Sequence, residues 1–254
     1  MENRYPLFAG GRILKKETLW DLRDYTYESW QLYYADYTDG VIKGCQIRVE
    51  DTDIVVGKGI IKYGHFIYLL REEVRIPFTA ENRPLILKAE FEEKTGNPDY
   101  MVYDVKFFLD DNVERKKNQI EFCRFHLRTG SVLRDTYKNF YDMKTKYDTV
   151  NLLHVTMAGR GQERLHPDVL LNFAKEMQIC STKKAEDLAF CFHVLQNEGE
   201  VERKVLDAYL QSEQAEMREE PIENEQYFDR LEGILNGSGN SWTSRQKQRV
   251  IFVE

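Results

Sequence analysis

The chain predicts an α+β fold, and three observations carry that prediction. Glycines punctuate short β-type runs at close intervals over residues 36–70, and three longer apolar runs of strand character follow before residue 130. Beyond residue 160 the apolar spacing changes to three and four, which is helical. The chain therefore divides into an N-terminal segment with an aromatic helix (1–37), an antiparallel β-rich domain (38–160), an acidic helical region (161–236) and a C-terminal tail (237–254).

The first helix is expected over 17–37. Leu19, Leu22, Thr26, Trp30, Tyr33 and Tyr37 fall at spacings that place them on one stripe, expected to cover the protein's own sheet. Trp20, Tyr25, Tyr27 and Tyr34 add aromatic surface on other faces. One helix seldom needs so much, so a second face is expected to meet another subunit, with Trp20, Trp30, Tyr33 and Tyr34 as the contact residues. Tyr34 and Trp20 lie off the stripe and make the cleaner probes.

Residues 36–70 read as a tight antiparallel meander, its turns set by Gly40, Gly44, Gly59 and Gly64. Longer strands are expected at 85–91, 101–109 and 120–127. In the last, Ile120, Phe122, Arg124 and His126 alternate against Glu121, Cys123, Phe125 and Leu127. Gly96, Asn97 and Pro98 supply turn chemistry between the first two. Residues 137–143 and 149–155 form a crossing region, and 158–161 is a natural break.

Pro167 suits a first helical turn. Leu170, Phe173, Ala174 and Met177 make one apolar stripe, Leu188, Phe192 and Leu195 a second, and Val201, Val205 and Tyr209 a third that ends near Gln211. The acidic run 213–225, broken by Pro221, reads as a solvated linker or frayed helix end. Phe228, Leu231 and Leu235 mark a last helix closed by Asn236 and Gly237. The β-prone run 250–253 is either an edge strand of the chain's own sheet or an arm given to a neighbour.

Composition narrows the role. With 42% hydrophobic and 31% charged residues, the chain is neither disordered nor a membrane protein, and no apolar run approaches the roughly 20 residues that span a bilayer. The opening MENRYPLFAGGR lacks the pattern of a secretory signal, so the product is expected to stay in the cytoplasm. Cys45, Cys123, Cys180 and Cys191 lie far apart among apolar neighbours and are expected to be buried free thiols. Residues 161–236 hold 17 acidic against 8 basic side chains, which argues against a nucleic-acid surface there; 237–254 hold 3 basic against 1 acidic.

The pattern Asp39-Gly40-Val41, Gly44-Cys45 with Ile47 and Val49, then Ile54-Val55-Val56 and Gly59-Ile60-Ile61 ahead of Gly64, resembles the β-domain of bacteriophage tail and baseplate proteins and their prophage relatives. The resemblance spans 8–68 and takes in Phe8, Gly11, Arg12 and Leu14. It implies a structural subunit of a phage tail, baseplate or tail-like particle, made in the bacterial cytoplasm and mature in the virion or particle. Its implied partners are itself or other tail and baseplate subunits. The matching glycines and aliphatics bring no catalytic residues with them.

Motifs for chemistry are sparse. GxxxxGK[ST], HExxH and GxSxG are absent, and His65, His126, His154, His166 and His193 share no ligand-type spacing. Cys123 with His126 and Cys191 with His193 offer four soft ligands, but each pair diverges in direction on a strand or helix, so no metal or cofactor is expected. Pro98, Asp99, Asp104 and Lys106 echo the PD…(D/E)xK arrangement of metal-dependent nucleases, in which two acids hold Mg²⁺ and the lysine stabilises developing charge. Only four residues separate Asp99 from Asp104, too few for the usual hairpin. The leading expectation is a non-enzymatic structural subunit; a nuclease or DNA-processing accessory using Asp99, Asp104 and Lys106 is the alternative, and an acidic adaptor for a basic partner is a third.

Overall fold

In a computed structural model, the structure describes residues 6–95, 99–213 and 223–237. Helix α1 (Lys16–Tyr33) leads into nine strands: β1 (Gly40–Gly44), β2 (Ile47–Glu50), β3 (Asp53–Val56), β4 (Gly59–Tyr63), β5 (Phe66–Leu70), β6 (Val74–Pro77), β7 (Pro84–Thr95), β8 (Met101–Asp110) and β9 (Gln119–His126). Four helices follow: α2 (Pro167–Ile179), α3 (Ala185–Gln196), α4 (Arg203–Glu213) and α5 (Asn224–Gly237). The fold is α+β, and the strands form three small antiparallel sheets ordered β1-β4-β5, β2-β3-β6 and β8-β7-β9.

The expected meander over 36–70 is instead split between two sheets. β1 pairs with β4 rather than with β2, and the β2–β3 hairpin swings out to meet β6. The cause lies at Gly44 and Gly59, where β1 and β4 approach closely. Gly44 sits at φ +73 with Cys45 at φ +55, and a Cβ on Gly44 would lie 2.3 Å from the Lys58 carbonyl oxygen. A Cβ on Gly59 would lie 2.5 Å from the Cys45 nitrogen. Left-handed backbone turns the chain out of the first sheet there, and only residues without side chains let the strands touch.

In the third sheet a register shift at Leu87/Lys88 inserts Phe122 as an extra residue of β9. The bulge brings Ile120 to the side of Cys123 and Phe125, where simple alternation would separate them. All three sheets share one apolar core, containing Ile54, Ile61, Leu87, Phe91, Cys123 and Phe125. β7 is buried on both faces in its first half, and Lys88, fully enclosed, donates to Asp110 Oδ2 at 2.8 Å and to the Asn112 and Glu114 carbonyls at 2.7 Å. Those three acceptors satisfy the buried ammonium's donors and tie down the loop after β8.

A second core lies between the helices, around Phe173, Phe190, Tyr209, Phe228 and Leu231. The segment between β9 and α2 serves both cores: Leu133, Val150, Leu152 and Met157 enter the first, while Phe140, Met143, Leu153 and Leu165 enter the second. Its one helical turn, Tyr141–Lys144, is held by Asp142, which accepts from Arg134 Nη1 and Nη2 at 2.5 and 2.6 Å, from the Lys138 amide and from Thr145 Oγ1. The break expected at 158–161 is tied into the β region: Thr38 donates to the Gly159 carbonyl, Ala158 to that of Val41, and Arg164 Nη2 to that of Ile42.

The stripe predicted on α2 is buried as expected, as are Phe228, Leu231 and Leu235 on α5. The one predicted on α3 is not. Leu188, Phe192 and Leu195 face solvent, and Phe190, Cys191 and Val194 face the core. α3 is apolar around most of its circumference, so spacing alone does not choose its inward face. All four cysteines are free and buried, with burial pushing the Cys45 and Cys191 thiols up to about 12. The turn at Gly96, Asn97 and Pro98, most of the acidic run 213–225 and the β-prone run 250–253 lie outside the described residues.

Candidate functional site

Helix α1 differs from every other helix in what covers it. Its eight large apolar side chains, Leu19, Trp20, Leu22, Tyr25, Tyr27, Trp30, Leu32 and Tyr33, are between 45% and 79% exposed, and no residue of the helix is buried. The positions it does cover partly are Thr18, Asp21, Asp24 and Gln31, a polar set. The expected stripe on the protein's own sheet is therefore corrected: the apolar arc of α1 faces away from the body. Leu7, Phe8, Ile13 and Leu14, just ahead of it, are also exposed.

Among the described residues little holds this helix. Its N-cap, Lys15, makes no side-chain cap, and Thr26 and Ser29 bond back to the Leu22 and Tyr25 carbonyls within the helix. Tyr27 stacks on Phe66 of β5 at 6.3 Å between ring centroids. The main mooring is at the C-terminal end, where Trp30 stacks on Tyr34 at 5.8 Å, Tyr34 meets Tyr37 edge-on at 5.1 Å, and the Arg160 guanidinium lies 5.6 Å from the Tyr37 ring. Most of a helix's stability in a protein comes from packing one face, and α1 packs little of its own.

The four predicted contact residues thus fall into two groups. Trp20 is open to solvent, with Lys16 Nζ 5.0 Å above its ring, whereas Tyr33, though exposed, meets Trp30 and Tyr34 edge-on at 6.3 and 4.9 Å between centroids. Trp30 is half exposed but stacked, and Tyr34 caps the helix and is partly covered, burial raising its phenol. Tyr34 is therefore part of the mooring, with Tyr33 against it, and Tyr25 or Leu32 replaces it as a probe of an external contact. The predicted turn residues sit at strand ends: Gly40 opens β1 at φ +141 against the Thr156 carbonyl, Gly44 closes it, Gly59 opens β4, and Gly64 forms the β4–β5 turn at φ +57.

The acids and lysine of the alternative reading lie at the edge of the third sheet. Asp104 and Lys106 share the exposed face of β8, opposite Glu92 and Glu90 of β7, while Tyr103, Val105, Phe107 and Leu109 pack inward. Asp99 is exposed in the turn before β8. Among the described residues no three His, Cys, Asp or Glu side chains gather as a metal would require. Cys123 is in the β core and Cys191 in the helical core, which separates the other candidate ligand set.

A cleft between the two cores is lined by Lys43, Arg48, Asp135, Tyr137, His166 and Asp168. Its polar groups are engaged: Lys43 with Glu200 at 2.7 Å, Arg48 with Glu73 at 2.7 Å, Asp135 with the Val49 amide, and Tyr137 with the Val150 carbonyl. His166 Nδ1 accepts from the Asp168 amide at 3.2 Å and caps α2, and burial lowers its pKa. These are the bonds of a seam. Sequence reasoning missed Lys88, whose only signal is a lysine inside an otherwise apolar strand followed by Asp110 and Asp111.

No helix among the described residues is long and apolar enough to cross a membrane. No protein-family model matches the chain, and no curated protein sequence matches it. A crystal structure of TssK overlaps 93% of this chain and 69% of its own at 9% identity, with a TM-score of 0.35. At that score the likeness fixes neither fold nor role.

Proposed function

We propose that this protein is a structural subunit of a phage tail, baseplate or tail-like particle, and that it assembles with copies of itself or with neighbouring subunits through α1 without catalysing a reaction. The observation that carries the reading is the outward-facing apolar arc of α1, backed by a polar set of partly covered positions. A standard interface buries roughly 800 Å² on each partner, and eight large side chains at about half exposure offer area of that order. The resemblance of residues 8–68 to tail and baseplate β-domains supplies the kind of particle. Asp99, Asp104 and Lys106 are charges of an exposed sheet edge in this reading.

The test is the solution mass of the 30.1 kDa chain by light scattering over a range of concentrations. Wild type is expected to exceed one chain, and Trp20→Ser with Tyr25→Ser to shift the mass toward one chain at unchanged melting temperature. A wild type that stays monomeric throughout, and has no subunit cross-linked to α1 in its native particle, overturns the proposal. Mg²⁺- or Mn²⁺-dependent DNA cleavage abolished by Asp104→Ala or Lys106→Ala would overturn its non-catalytic part.

A further inference from the structure

Strand β8 is the edge of the third sheet. Among the described residues it pairs with β7 alone, and no backbone group of its 10 residues bonds to any other element, so every second residue turns its amide and carbonyl away from the sheet. Edges are commonly blunted by proline, by bulges or by short length. β8 has no Pro or Gly, and its ladder with β7 runs unshifted from Met101 to Asp110. We propose that β8 pairs antiparallel with β8 of a second copy, about a two-fold axis at Val105, and joins the two third sheets into one.

The sequence of the strand selects that occupant, because it is complementary to itself in this register. Val105 meets Val105, Asp104 meets Lys106, Tyr103 meets Phe107, Val102 meets Phe108 and Met101 meets Leu109. Apolar residues thus oppose apolar ones, and the charges oppose their opposites twice. Met101 and Val102, exposed in the single chain, gain apolar neighbours. A slip of one residue would set the inward face of one copy against the outward face of the other. A slip of two keeps the faces but sets Asp104 against Asp104 or Lys106 against Lys106.

Neighbouring charges agree with the pairing. Asp104 and Lys106 are both exposed, and β7 places Glu92 opposite Asp104 and Glu90 opposite Lys106. Across the joined sheet each Lys106 therefore lies between Glu90 of its own chain and Asp104 of the second copy. Lysine on an edge ordinarily repels another strand, but here it is answered. The inference goes beyond assembly through α1 and does not rest on it.

The test reverses charges in the full chain carrying Trp20→Ser with Tyr25→Ser, so that α1 contributes no association, and reads the mass by light scattering. One strand pair buries less than a standard interface, so two chains per particle are expected at high concentration. Asp104→Lys alone and Lys106→Asp alone should each weaken the pair about tenfold, since each sets like charges opposite twice. Their equimolar mixture, and the double variant, should restore it. Hydrogen exchange should show β8 amides slowing as the pair forms. A parent that stays at one chain at every concentration, single variants that associate as the parent does, a mixture or double variant no stronger than the singles, or full protection of β8 in the dilute single chain would each overturn the proposal.

Discussion

Helix α5 buries Tyr227, Phe228, Leu231, Ile234 and Leu235 within 14 residues, whereas α1 buries nothing within 18. Both carry large apolar residues at helical spacing. The difference is in what each finds opposite. α5 meets surfaces already shaped for it, with Phe228 stacked on Phe140 at 4.2 Å between centroids and 9° between planes. α1 meets one ring of β5 and a mooring at its end, and its polar positions take the partly covered side. An amphipathic pattern states that a face must be covered; the rest of the molecule decides by whom.

The largest expected effect that sharpens this contrast is on α5. Phe228→Ala removes a fully buried ring and should destabilise the protein by about 3–5 kcal/mol, read from the denaturant midpoint at unchanged slope. The counterpart on α1, Leu32→Ala with Tyr25→Ala, should stay within about 0.5 kcal/mol per site when measured at low concentration. Equal losses at the two helices would break the comparison.

An intermediate effect is expected at the seam. Hydrogen bonds from Arg134 hold the Asp142 carboxyl well below the usual carboxylate range, against an opposing effect of burial. Because the folded value is depressed, the stabilisation is fully present above the unfolded value near pH 4 and is lost as pH falls below it. Asp142→Ala should therefore lose about 2–3 kcal/mol at pH 7, discounted from a fully buried pair because Arg134 is partly exposed. Denaturant melts from pH 7 down to 3 should show wild type approaching the variant.

The elements whose sequence has one apolar face were legible. Leu170, Phe173, Ala174 and Met177 on α2 leave no second choice, and the three long strands appear within a few residues of their expected bounds. Where apolar residues occupy two faces, spacing stops deciding: α3 turns Leu188, Phe192 and Leu195 outward, and α1 turns its arc away from the sheet. Strand order was illegible for another reason. A left-handed Gly44-Cys45 step joins β1 to β4 across intervening residues, and no local pattern encodes which strand a turn delivers to. The bulge at Phe122 and the burial of Lys88 depend on partners distant in sequence, in β7 and in the loop after β8. Of the expected contact residues, Trp20 reads as a surplus aromatic and is exposed, Tyr33 reads onto the inward stripe yet is exposed, and Tyr34 reads as free although it stacks on Trp30 and meets Tyr37 edge-on.

Amide hydrogen exchange along α1, with α5 as reference, tests most directly whether α1 awaits a partner. Protection should follow what buries each helix. In dilute protein at one chain per particle, α1 amides are expected to exchange far faster than those of α5, and to slow as concentration or a native partner restores an interface, with α5 unchanged. Protection of α1 equal to that of α5 in the dilute single chain would contradict the account, because the chain itself would then be covering the helix.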